Sequence, residues 1–94
     1  MKVICLDASG WRTADDFYAA LLPELGAPDW HGRNLDALYD SLSGGINELE
    51  PPFAVELKHC NRASPALAAF LANVVNVFED ARKEFGSDVS ISLH

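Results

Sequence analysis

Asp36 and Asp40 are the residues whose type and spacing most invite chemistry. They stand four apart, with Tyr39 between them and Ser43 one turn on. Read as a helix from about Asn34 to Leu42, the segment has two faces. Leu35, Leu38 and Leu42 recur at the spacing of a buried stripe, and Asp36, Tyr39, Asp40 and Ser43 line the opposite side. Stacked like charges cost an isolated helix roughly 0.2–0.5 kcal/mol. The pair gives folding nothing, so its reason lies outside the chain.

Paired carboxylates could serve acid–base catalysis, but that work needs a cleft in which burial drives two pKa values apart. These two project from one convex helix surface. A metal site from His31, His59, His94 and Asp29 lacks any ligand-type spacing, and His94, the last residue shown, is expected to fray. Unrelated surface histidines are the better reading. Nucleophilic catalysis has no G-x-S-x-G, and neither cysteine has a histidine placed to activate it, although His59 precedes Cys60. Gly44-Gly45 follows a helix where a phosphate loop would precede one. An interaction surface explains more. Trp30 and Tyr39 are low-entropy aromatic anchors, and carboxylates beside them suit a basic partner. Trp30 could instead staple its loop to the core, and Ser43 taken alone is a surface serine. Tyr39 is harder to dismiss, because its helical phase sets it away from the leucines.

The charge balance agrees. Fourteen acidic residues against seven basic ones give −7. From Glu24 to Glu56, seven acidic residues accompany Arg33 as the sole Lys or Arg. Direct nucleic-acid binding needs a basic footprint, and none is visible; a basic protein fits the sign. Taken alone, the charge is better explained by solubility. With 49% hydrophobic and 22% charged residues, the chain is too apolar for disorder. Its length suits one domain, 1–94, burying roughly 60–70% of its unfolded surface. Cys5 and Cys60 make no disulfide framework, and Cys5, in an apolar run, is expected to pack as a small hydrophobe. No signal-peptide core or membrane-spanning run is found, so a reduced cytoplasmic setting is the expectation.

The elements that must position these residues follow from local signals. Val3 to Leu6 is a short apolar run of the kind a buried strand shows. Thr13 with Asp16 opens a helix to about Glu24, which Pro23 should end or bend near Leu22. Gly26, Pro28 and Gly32 mark an irregular connection into the two-faced helix, which Asn34 caps and Gly44-Gly45 stops. Phe53 to Leu57 alternates as a strand. Lys58 to Ala63 is ambiguous, with room for a short helical turn. Ser64-Pro65 opens a long helix to about Phe85, closed by Gly86, and Val89 to Leu93 alternates as a last strand. Strands separated by helices favour parallel pairing. The expectation is an α/β domain whose three-stranded parallel sheet is covered by helices on one face.

The segment from Trp30 through Gly32, Asn34-Leu35-Asp36-Ala37-Leu38, Tyr39, Asp40, Leu42, Ser43 and Gly44 resembles the binding loop and second helix of the barstar family, intracellular inhibitors of barnase-type ribonucleases. Val77-Phe78 through Ala81 and the strand from Gly86 to Leu93 are similar too, so the resemblance covers nearly the whole chain. It implies a barstar-like fold and stoichiometric inhibition in a 1:1 complex by a monomer, without catalysis, metal or cofactor. It further implies that Asp40 sits where a substrate phosphate would, facing arginine and histidine, and that Asp36 pairs with another basic residue. Trp30 and Tyr39 would pack beside them, Gly32 and Asn34 would contact the partner, Ser43 would bond at the edge, and Asp80 would supply an outlying acidic contact. Three positions depart from the family pattern. His31 replaces a second aromatic, which thins the stacking surface and adds a group whose charge could change near neutral pH. Asp80 is one methylene shorter than glutamate, and Gly45 replaces a bulky aromatic. Three functions are weighed: inhibitor of a basic ribonuclease, barstar-like module binding another basic protein or toxin, and, distantly, an acid–base enzyme.

Overall fold

Three strands and three helices make up the chain, with two successive helices between the first two strands. The computed structural model describes residues 1–94. Strand β1 spans Lys2–Asp7, helix α1 Ala14–Leu25, α2 Leu35–Gly44, β2 Phe53–Lys58, α3 Pro65–Phe85 and β3 Val89–Leu93. A 3-10 turn, Cys60–Arg62, occupies the stretch whose pattern was ambiguous. The strands form one parallel sheet in the order β1-β2-β3. Register sets Ile4, Val55 and Ile91 in one row and Leu6, Leu57 and Leu93 in the next. Central β2 is the best covered, with Phe53, Val55 and Leu57 all buried.

The long helix forms as its signals predict. The Ser64 side chain accepts from the Leu67 N–H at 3.2 Å, and Pro65 takes the first turn, where its missing N–H costs nothing. Leu67, Leu71, Val74, Phe78 and Ala81 make the buried stripe. Against it pack Phe17 and Tyr18 of α1, edge-on to each other and to Phe70. Burial alone pushes the Tyr18 hydroxyl up to about 12.

Three local expectations fail. Pro23 does not end α1 near Leu22; the helix runs through it to Leu25. The proline frees only the carbonyl of Ala19, and both residues are solvent-exposed, so water can satisfy it. The stop comes at Gly26, whose φ of 64° lets its N–H reach Pro23 while Ala27 reaches Leu22. Strand β1 is not buried on both faces. Val3 is 46% exposed and Cys5 lies open beside Glu56, because the helices cover only the face bearing Ile4. Nor is His94 loose. Its N–H donates to Leu57 at 2.8 Å and its carbonyl accepts from Cys60 at 2.7 Å, which extends the β2–β3 ladder. No helix is long and apolar enough to cross a membrane.

Candidate partner-binding surface

Helix α2 carries the centre of the surface. Asn34 caps it, its side-chain oxygen accepting from the Ala37 N–H at 2.8 Å. Asp36, in the first turn, lies where the helix dipole favours a carboxylate. Leu38 and Leu42 are buried, Leu35 is half-buried against the core, and Ser41 is turned inward onto the Leu38 carbonyl. That anchoring leaves Asp36 and Asp40 outward and exposed. Ser43 is half-buried and donates to the Tyr39 carbonyl at 2.7 Å, which leaves only its oxygen lone pairs for anything outside.

The preceding loop is built just as tightly. The His31 N–H donates to the Pro28 carbonyl at 2.9 Å. A carbonyl can only accept, so the 2.7 Å contact from His31 Nδ1 to the Gly32 oxygen puts the ring proton on Nδ1. The ring itself is turned into the protein, only 7% exposed, and Nε2 has no partner there. His31 therefore adds nothing to the stacking surface, which is thinned to Trp30 and Tyr39. A Cβ on Gly32 would meet Asn34 Nδ2 at 2.9 Å and Ala37 Cβ at 3.3 Å, so any larger residue would disturb the cap. Beyond this frame Trp30 is 73% exposed and does not staple the loop to the core.

Tyr39 is where the structure adds most. Its hydroxyl donates to the Glu84 carboxylate across 45 residues, and its ring meets that of Phe85 edge-on, centroids 5.6 Å apart. That hydrogen bond, then burial, then the charges of Glu84, Asp80 and Asp40 push the hydroxyl up to about 12. The end of α3 thus packs against one side of the α2 surface through Glu84 and Phe85. Sequence reasoning reached Asp80 but missed Glu84 and Phe85. The available signal was the i, i+4 pairing of Asp80 with Glu84 and the phenylalanine that carries the apolar stripe one turn past Ala81, to the helix end.

The chain's ion pairs are Arg33–Asp15, Lys58–Glu56 and His59–Asp7. None of them includes Asp36, Asp40, Asp80 or Glu84. No cluster of His, Cys, Asp or Glu is arranged to hold a metal ion. His31 serves its loop, His59 meets Asp7, and His94 meets Ser92. The cavities in the surface are lined by neither Asp36 nor Asp40.

Comparison with known families matches residues 1–93 to the family described as Barstar (barnase inhibitor). A curated protein of Bacillus subtilis (strain 168), named "Putative ribonuclease inhibitor YrdF", is 29% identical over 93 residues and 99% of each chain is covered. The family match spans the sheet, all three helices and the acidic surface alike: this chain belongs to the barstar family.

Proposed function

We propose that this protein inhibits a basic, barnase-type ribonuclease by seating α2 in the enzyme's cationic cleft. The observation that carries the reading is a set of exposed carboxylates, Asp36 and Asp40 on α2 and Asp80 on α3, left without any cation of their own chain. Such groups are unpaired in the free protein and available to arginine, lysine or histidine. Asp40 takes the place of a substrate phosphate among the basic groups of the enzyme, and Asp36 pairs with another. Trp30 and Tyr39 supply apolar contact around them. Gly32 and Asn34 meet the partner at the rim of the loop, and Ser43 accepts at the edge. His31 acts from within, holding the loop that presents Trp30. Acidic residues gathered on one side also steer the encounter, an effect for which the family's own inhibitor–ribonuclease pair is a reference case.

The protein makes no chemical change in this reading, and occlusion alone stops the enzyme. Its localisation follows from the role: an inhibitor that protects the cell from its own ribonuclease works in the cytoplasm, as a monomer in a 1:1 complex. Titrating the purified protein into a barnase-type ribonuclease and following RNA cleavage tests this. Cleavage should fall linearly and reach zero at equimolar inhibitor. Undiminished cleavage at micromolar concentration would remove the ribonuclease and leave a module for another basic protein.

A further inference from the structure

Phe85 is an exposed apolar group that the proposed function does not use. It ends α3 immediately before Gly86 and is 60% exposed, in line with the apolar stripe but one turn past Ala81, the last residue that α3 buries. One side of its ring is taken by Tyr39, edge-on at an interplanar angle of 68°. Tyr39 in turn is tied by its hydroxyl to Glu84, the neighbour of Phe85. Two helices distant in sequence therefore make a shelf of two rings held in one arrangement. Glu84 accepts from the Tyr39 hydroxyl and Asp40 follows Tyr39 on α2, so carboxylates of both helices border the shelf. No Lys, Arg or His of this chain forms an ion pair with them.

An open aromatic face beside unpaired carboxylates selects one kind of side chain. A cation within about 6 Å of a ring centroid is attracted to the ring face. Arginine does this best, because its guanidinium is flat, weakly hydrated and able to fork onto a carboxylate at the same time; the compact, strongly hydrated ammonium of lysine cannot. We infer that the Tyr39–Phe85 pair is a seat for an arginine of the basic partner, the guanidinium lying on the exposed ring of Phe85 with its N–H groups turned to the carboxylates around Tyr39. The inference rests on the proposed function for the partner's sign and moves the contact surface beyond α2 onto the end of α3.

The test uses the blocked tripeptide acetyl-Gly-Arg-Gly-amide, with its lysine counterpart, titrated into the isotopically labelled full chain and followed by NMR. Saturable shifts are expected at the Tyr39 and Phe85 rings, with upfield movement of the arginine δ-methylene. The lysine peptide should bind at least about threefold more weakly. Phe85→Ala should abolish the shifts, and Phe85→Leu, which keeps apolar bulk without a ring, should erase the arginine preference. Unchanged amide spectra in the sheet establish that both variants fold. Shifts that survive in Phe85→Ala, that spread evenly over carboxylates such as Glu50 and Asp88, or that never saturate would overturn the seat. The ribonuclease titration is separate. Peptide binding at the shelf without inhibition keeps the seat and removes the ribonuclease; inhibition without peptide shifts does the reverse.

Discussion

On the open face of the sheet, Asp7 accepts from the Ser9 N–H at 2.9 Å and meets His59 Nδ1 at 3.0 Å, while Glu56 holds Lys58 at 3.2 Å. On α2, Asp36 and Asp40 are exposed and have no such partner. The first two are compensated within the chain. Hydrogen bonds from Ser9 and then His59 hold Asp7 down to about 2, and Lys58 lowers Glu56. The α2 pair is stacked like on like and answered by nothing internal. Glu84 stands between the two cases, since its carboxylate is given to the Tyr39 hydroxyl. The comparison teaches that exposure does not mark a binding carboxylate. The proposed binding carboxylates add to exposure a stacked pair on one helix face that no cation of the chain answers.

The strongest way to break that contrast is to truncate one carboxylate of each kind. Asp40→Ala should weaken binding to the ribonuclease by about 2 kcal/mol or more, roughly thirtyfold, and leave the thermal midpoint unchanged. Glu56→Gln should leave the affinity where it was. Equal losses from both would mean that only net charge matters. Salt separates the regions next. Long-range attraction between exposed charges is screened beyond roughly 8–10 Å at 0.10–0.15 M. Association, measured by stopped flow, should therefore slow about tenfold or more between low and high salt, and dissociation should change little.

Two smaller effects sharpen the comparison in the free protein. Asp7 has a folded pKa of about 2, below its ordinary value of 3.8. It therefore stabilises the fold fully above pH 4, and that contribution fades as pH falls from about 4 to 2. Asp7→Asn should flatten the thermal midpoint against pH across that window. Tyr39 shows the opposite sign. Its folded pKa of about 12 lies above the ordinary 10, so its hydrogen bond is fully present below pH 10 and is lost as pH rises through 12. Glu84→Gln should bring Tyr39 back toward 10 in a tyrosinate titration and leave Tyr18, raised by burial alone, near 12. A Tyr39 that still titrates near 12 in that variant would show that Glu84 does not hold it.

Much of the frame is legible in the chain because its signals act within a turn or two. Asn34 and Ser64 cap from side chains three residues away from the N–H groups they satisfy. The leucine stripe of α2 and the alternation of β2 identify their covered faces without reference to anything distant. Even Pro23 gives a local signal, and it misleads only because Ala19 faces water. The outward phase of Asp36 and Asp40 belongs with these. Glu84 and Phe85 do not, since nothing in the local pattern says which helix the end of α3 will meet.

By itself, then, the sequence determined where elements start and stop and which side of each helix turns outward, since those outcomes are decided by neighbours along the chain. Only the tertiary structure decided that one face of β1 stays open around Cys5, that His31 folds inward, and that Tyr39 is held by Glu84 and braced by Phe85. Each of these depends on where segments separated by tens of residues come to lie, and a pattern with a period of two or 3.6 residues carries no information about that.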